Sequence, residues 1–344
     1  MDNNQTPDKS LELQRTLTGI LRRRHIPGND IYLEKVEKVL LILENEIKEI
    51  RPRDSLHRPG GLIYLKRHLP TVIIPDLHAR MDFFLSIMMH RLETDKTILN
   101  LLCAGKIQVV CVGDGFHAER RAAQRWRYAL AEYRGFYKKH RNIDEEMKES
   151  LGLMEMVMEI KTAFPDHFHF LKGNHENITN ENGNGNRPFG KFAFEGEMVK
   201  VYMLKFYSEK LIQMYYKFER ALPLLVIGKN FIISHAEPRI FHSENPVIDY
   251  RMHPEVVYDL TWTADNAAET DSVSRMLSYY LDNSEDGQQY YFGGHRPVKD
   301  LYNLRADGKY VQIHNPDKFI IAYIKTDKPI EPEKDIFEIE KYKL

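Results

Sequence analysis

Nine short apolar runs punctuate the chain between residues 61 and 324: GLIYL, TVIIP, IQVVCVG, HFHFLKG, LPLLVIG, NFIISH, YYFGGH, YVQIH and FIIAYI. Several are continuous rather than alternating. A strand covered on one face alternates apolar and polar side chains, whereas one covered on both faces stays apolar throughout. Such runs demand a sheet held between layers. Helical stretches between many of them supply those layers, so the class is α/β with a layered sheet core. The 344 residues amount to one large domain or two ordinary ones and are enough to bury a substantial core.

Ahead of these runs, residues 10–25 and 30–50 read as helices. In the second, Val36, Val39, Leu40, Leu43, Ile47 and Ile50 recur at steps of three and four and give one apolar face. Asn29 or Asp30 is placed to cap its start. The organisation expected is a helical N-terminal extension (1–60), a main domain (61–325) with a helical insertion at 116–165, and a charged tail (326–344), partly loose by composition.

Lys and Arg number 49 and Asp and Glu 50, so net charge gives no argument for nucleic acid or a membrane surface. No apolar stretch approaches the length of a membrane span. The opening MDNNQTPDKS has neither the basic nor the apolar segment of a signal peptide. Cys103 and Cys111 are not at CxxC spacing and read as reduced thiols. The cytoplasm is the expected compartment.

The ends of the runs carry the chemistry. TVIIPDLHA ends in Asp76 and His78, IQVVCVGDG in Asp114, FHFLKGNHE in Asn174 and His175, NFIISHAE in His235, and YYFGGHRP in His295. Alone, an Asp after Gly is a turn or cap residue and a terminal His a surface residue. Five runs drawing on the same three side chains are a ligand set, delivered at strand ends where α/β sheets bind ligands. Two divalent cations about 3.5–4 Å apart hold an in-line displacement at phosphorus and need a bridging carboxylate. Asp114 is the expected bridge. Asp76 and His78 complete a first metal, and Asn174, His235 and His295 a second. Mixed imidazole, carboxylate and amide donors suit Mn, Fe or Zn better than Mg or Ca. His175 follows a ligand on an extended backbone, points the other way, and is assigned as general acid.

The motifs DLH, GDG, GNHE, SHAEP and GGH, in that order, resemble the calcineurin-like metallophosphoesterases. The resemblance is nearest to the branch of serine/threonine phosphoprotein phosphatases and symmetrical dinucleoside tetraphosphate hydrolases. NRPFGKFAFEGE, FERALPLLVIGKNFIISHAEP and DLTWTADN resemble further stretches of that branch, so the match runs over roughly residues 70–325. It implies a β-sandwich flanked by helices (four layers, αββα), a binuclear metal centre such as manganese, and phosphoester hydrolysis by a metal-bridging hydroxide. It also implies that Arg187 reaches phosphate.

The departures fall on second-rank positions. Pro75 and Ala79 replace glycines. His117 stands where an Asp usually supports the catalytic histidine, and Ala118 where an Arg usually holds phosphate. Glu119 is the neighbour assigned to the first task and Arg120 or Arg121 to the second. Glu237 replaces another glycine. Asn174 follows Asp114 by 60 positions, longer than in that branch. In 120–141 eight Lys and Arg face one acid, Glu132, while Trp126, Leu130, Tyr133 and Tyr137 recur at helical spacing. This reads as an amphipathic helix packing its aromatic face, with a basic face that either guides an anionic substrate or is neutralised by the DEEMKE that follows.

The expected activity is therefore phosphoester hydrolysis on a phosphoprotein, nucleotide or small phosphoester. A phosphodiesterase or nucleotide polyphosphate hydrolase on the same site is the alternative. Nucleic acid is a less favoured partner, and a non-catalytic interaction module less favoured still. Nothing in the sequence fixes an oligomeric state.

Overall fold

The computed structural model describes residues 9–92, 95–281 and 288–344; most of the opening stretch read as lacking a leader lies outside them. Among the described residues eleven strands form: β1 (Leu62–Tyr64), β2 (Thr71–Ile74), β3 (Gln108–Cys111), β4 (Phe168–Phe170), β5 (Leu225–Ile227), β6 (Phe231–Ser234), β7 (Tyr290–Gly293), β8 (Asn303–Arg305), β9 (Tyr310–Gln312), β10 (Ile320–Ile324) and β11 (Ile336–Glu338). They make a six-stranded sheet, β1-β5-β6-β7-β9-β8, and a five-stranded sheet, β11-β10-β2-β3-β4. All nine apolar runs are strands. The short β8 and β11 were not read from the sequence.

The continuous runs are explained by which neighbour each side chain meets. Val72 and Ile74 of β2 join one hydrophobic cluster with the helices, while Ile73 between them joins another with Ile233, Phe292 and Val311 of the opposite sheet. In β6, Ile232 faces a third cluster with the helices Pro254–Thr261 and Ser272–Tyr280. Successive side chains leave a strand on opposite faces, so three stacked clusters mean four layers, helix–sheet–sheet–helix.

Helices Lys9–Arg22 and Asn29–Glu44 share the first cluster with Met81–Met89, Glu195–Phe206 and Glu209–Ala221. The helix Arg141–Ala163 is buried along most of its length in that cluster. The second helix stops at Glu44, short of the expected residue 50, and neither Asn29 nor Asp30 caps it; Gly28 holds the N-cap position. The Asn29 carboxamide oxygen instead accepts from the Ser208 amide at 2.9 Å. At the far end the Asn45 side chain donates to Leu41 O at 2.7 Å, competing with helix propagation. Glu46 turns inward to Arg51 and Lys161, all three buried. Ile47 is accordingly exposed, although the periodicity placed it on the apolar face.

The charged tail is not loose. Ile336, Phe337 and Glu338 pair antiparallel with β10, and Ile330, Ile336 and Ile339 are buried. Within residues 116–165, the helix Ala123–Arg134 buries Trp126, and Tyr137 just beyond it is buried too. Its basic face is partly neutralised: Arg125 pairs with Glu146 and Glu149, and Arg121 with Glu149 at 2.7 Å.

Candidate metal centre

Strands β2, β3 and β4 are mutually parallel neighbours in one sheet, and β6, β7 and β9 in the other. Each of the six is followed by a donor at its carboxyl end. The first sheet gives Asp76 and His78 after β2, Asp114 after β3 and Asn174 after β4. The second gives His235 after β6, His295 after β7 and His314 after β9. His314 was not among the residues read from the sequence, yet the signal was there: YVQIH is an apolar run that ends in His, like the others.

The loops that aim these side chains are strained. His78, Asp114 and His295 have φ of 43°, 52° and 63°, and Ala79, where the resemblance expects glycine, has 58°. Left-handed backbone in a non-glycine residue costs of order 1–2 kcal/mol and persists only where the surroundings enforce it. Here the His78 amide donates to Asp114 O at 2.7 Å and the Ala79 amide to Gly115 O at 2.8 Å. Glu176, last residue of GNHE, accepts from the amides of Asp114, Gly115 and Gly173 at 2.9, 2.8 and 2.7 Å. Its carboxylate locks two ligand loops together. Two glycines leave the room the donors need: a Cβ on Gly173 would lie 2.2 Å from Asp114 Oδ1, and one on Gly294 1.8 Å from Asp76 Oδ1.

Around Asp114 the donors form two groups. His78 Nε2 lies 3.8 Å from Asp76 Oδ2 and 3.7 Å from Asp114 Oδ2. His235 Nε2 lies 3.4 Å from the same Asp114 oxygen, and Asn174 Oδ1 lies 3.0 Å from His235 Nε2 and 2.9 Å from His295 Nδ1. The rings are fixed from behind: Nδ1 of His78 meets His117 O at 3.0 Å and Nδ1 of His235 meets Val112 O at 3.0 Å, which leaves each Nε2 for the centre. Asp76 Oδ1, His295 Nε2 and His314 Nδ1 are buried with no hydrogen-bond partner. Native proteins rarely leave such atoms unsatisfied. Asp76–His78–His314 and Asp114–His235–His295 are each grouped tightly enough to hold an ion, so the donor set fits two divalent cations.

Burial pushes the Asp114 carboxyl well above the usual carboxylate range, with Glu176 and Asp76 adding to it. Burial also brings the His78 imidazole down to about 4 and lowers those of His235 and His295. Neutral imidazoles are the form that binds metal. A dication between them would reverse the penalty on Asp114.

His175 stands over this group, its Nε2 3.9 Å from Asp114 Oδ2 and its amide donating to Asp114 Oδ1 at 2.9 Å. Its Nδ1 is buried and has no partner. The His117 ring stacks on that of His175, with ring centroids 4.9 Å apart. Glu119, assigned from sequence to support His175, is placed elsewhere: its Oε2 lies 3.2 Å from His314 Nε2 and 3.6 Å from His78 Nε2. The φ of 42° at Glu119 turns it toward that side. A cleft of about 280 Å³ opens beside His78, Glu119 and His314, and Arg80, Arg120 and Arg121 also line it. Arg120 is exposed there. Arg187 is also exposed, and its guanidinium stacks over the Tyr258 ring at 4.5 Å. Glu237, at a position expected to be glycine, accepts from Arg305 Nε at 3.0 Å.

No protein-family profile matches the sequence, and no curated protein emerges as a relative. Solved structures do resemble the fold. A protein serine/threonine phosphatase from Saccharomyces cerevisiae with similarity to human phosphatase PP5 aligns over 96% of this chain and 97% of its own, with 12% identity and a TM-score of 0.56. A cold-active protein-tyrosine phosphatase from a psychrophilic Shewanella species aligns over 81% of this chain and 86% of its own, with 12% identity and a TM-score of 0.46. A putative diadenosine tetraphosphatase aligns over 82% and 99%, with 11% identity and a TM-score of 0.42. The first of these likenesses shows a shared architecture: the chain has the fold of that phosphatase.

Proposed function

We propose that this protein is a phosphoester hydrolase that holds two divalent cations with Asp114 between them. The observation that carries the reading is the meeting, around the buried Asp114 carboxylate, of donors that follow six strands, three parallel neighbours in each sheet. The unpartnered Asp76, His295 and His314 atoms and the shared fold support it. Asp76, His78 and Asp114 would hold the first cation, and Asp114, Asn174, His235 and His295 the second. Bound, such a pair makes water nucleophilic near neutral pH and neutralises phosphate charge. Mn, Fe or Zn suits the donors.

His175 is the proton donor to the leaving oxygen. Burial lowers its pKa well below the usual range, as do the His117 and His78 rings, so the negative charge of a bound phosphate would have to hold the proton there for this role. His117 keeps the ring upright by stacking where a carboxylate would hold it by a hydrogen bond. Arg120, at the mouth of the cleft, meets the phosphate oxygens. The substrate is a phosphorylated protein, nucleotide or small phosphoester.

The test is hydrolysis of p-nitrophenyl phosphate and its bis-ester by metal-stripped protein refilled with Mn, with bound metal counted on the same sample. Two ions per chain together with turnover is the expected result, and the preferred ester separates phosphatase from phosphodiesterase. Two ions with neither ester cleaved would place the specificity in the cleft. No bound metal would overturn the reading.

A further inference from the structure

The donor set around the first cation is larger than the resemblance implies. His314 is fully buried. Its Nδ1 lies 3.8 Å from Asp76 Oδ2 and has no hydrogen-bond partner. We infer that His314 is itself a ligand of the first divalent cation, through Nδ1, and that Glu119 is the carboxylate that holds its ring. The inference rests on the two-metal reading above.

Spacing is the first argument. Ligand atoms about 2.1 Å from one ion lie roughly 3.0–4.2 Å from each other. The separations His78 Nε2–Asp76 Oδ2, His78 Nε2–Asp114 Oδ2 and His314 Nδ1–Asp76 Oδ2 are 3.8, 3.7 and 3.8 Å. All three fall in that range.

The ring's other nitrogen is the second argument. Metal-bound histidines typically give their remaining N–H to a carboxylate or carbonyl, which fixes tautomer and orientation. His314 Nε2 lies 3.2 Å from Glu119 Oε2.

The third argument is the way the two loops are tied. The Arg80 guanidinium is buried and has carbonyls as its acceptors. It donates to Asp76 O at 2.7 Å and Leu77 O at 3.2 Å on one side, and to Asn315 O at 3.1 Å, Pro316 O at 3.3 Å and Lys318 O at 3.1 Å on the other. The loop after β2 and the loop after β9 are thereby held in one piece, with Asp76 and His314 facing each other. The first cation then has two imidazoles, one carboxylate of its own and a share of Asp114. The second has two imidazoles, one amide and its share of Asp114. Both are mixed nitrogen and oxygen sites, and the added imidazole moves the first toward zinc or iron and away from magnesium.

A purely structural His314 would predict lost stability with metal binding intact. Full-length wild type, His314→Ala and Glu119→Gln are stripped, titrated with Co²⁺, and followed by bound metal per chain and by the visible absorption of each site. Wild type is expected to take two ions. His314→Ala is expected to keep one tightly and to hold the other at least about 100-fold more weakly, with one site's absorption lost. Glu119→Gln is expected to weaken the same ion about 10–100-fold. His235→Ala serves as the opposite case, losing the second ion and keeping the first. Two ions at wild-type affinity in His314→Ala overturn the inference and leave the two-metal reading standing, whereas no metal in wild type overturns both. Unchanged affinity in Glu119→Gln removes Glu119 from it. Should His314→Ala not fold, His314→Gln, which keeps most of the volume and a partner for Glu119, reads the same loss.

Discussion

The His117 ring stacks on that of His175, centroids 4.9 Å apart and planes 29° from parallel. Trp126 stacks at 5.1 Å and Phe192 at 6.3 Å on His117, so His117 is one member of an aromatic pile. Both nitrogens of His117 are without hydrogen bonds, and its nearest carboxylate, Glu195, is 3.6 Å away. Removing the ring with His117→Ala opens a cavity, and a loss of roughly 2–5 kcal/mol is expected from chemical unfolding, as for other large buried side chains. Steady-state kinetics should show a fall in kcat with bound metal unchanged. A variant that keeps kcat would mean that His175 needs no support.

His175→Ala separates proton donation from metal binding. The alanine variant should retain both ions and lose roughly 10²–10⁴-fold in kcat on an alkyl phosphate, whose leaving group needs the proton. On p-nitrophenyl phosphate, whose leaving group departs as an anion, the loss should be much smaller. An equal loss on both esters would argue against a general acid.

Asp114→Asn keeps the shape of the bridging residue and removes its charge. On the proposed reading both ions would share that charge, so metal analysis should show fewer than two per chain. Activity should fall further than the roughly 10–100-fold typical of losing an outer-shell partner. Retention of two ions at wild-type affinity would remove Asp114 from the bridge.

Gly294→Ala tests the room beside Asp76 without touching a ligand. The new methyl would lie 1.8 Å from Asp76 Oδ1, so the carboxylate or the loop must move. Overpacking of this kind costs about 1–3 kcal/mol. The first ion should weaken more than the second, which a titration in the presence and absence of a chelator resolves. Equal weakening of both would indicate a global effect.

Glu46 offers a pH-dependent contrast far from the metal donors. Burial pushes its pKa up, but Lys161 and Arg51 more than offset that and hold it at about 2. A carboxyl lowered from about 4.3 in the unfolded chain contributes stability that is full above that value and disappears as pH falls toward 2. Glu46→Gln leaves two buried cations without their anion and is expected to cost about 3–5 kcal/mol near pH 7. The gap between wild type and variant should narrow as pH falls from 5 to 2. A gap independent of pH would show that packing, not charge, is what Glu46 supplies.

Much of this could be read from the sequence because burial on both faces writes itself as continuous apolar runs, and ligands must sit where those runs end. Asp76, His78, Asp114, Asn174, His235 and His295, the ligands expected from those ends, do lie together. His314 ends a run too, but no motif of the resemblance includes it. Glu119 was misassigned because chain proximity to His117 does not reveal a left-handed φ that turns the side chain toward His314. The end of the second helix was missed because Asn45 and Glu46 act through contacts with Leu41, Arg51 and Lys161. The pairing of the tail with β10 depends on a partner that composition does not name.

The two sheets share no strand, and three of the donor-bearing strands belong to each. Any ion gripped by both therefore acts as a rivet through the sandwich, tying faces that are otherwise joined by side-chain packing. On the proposed reading, stripping the metal would cost the sandwich a cross-tie, so the metal-free protein should open more readily between its sheets.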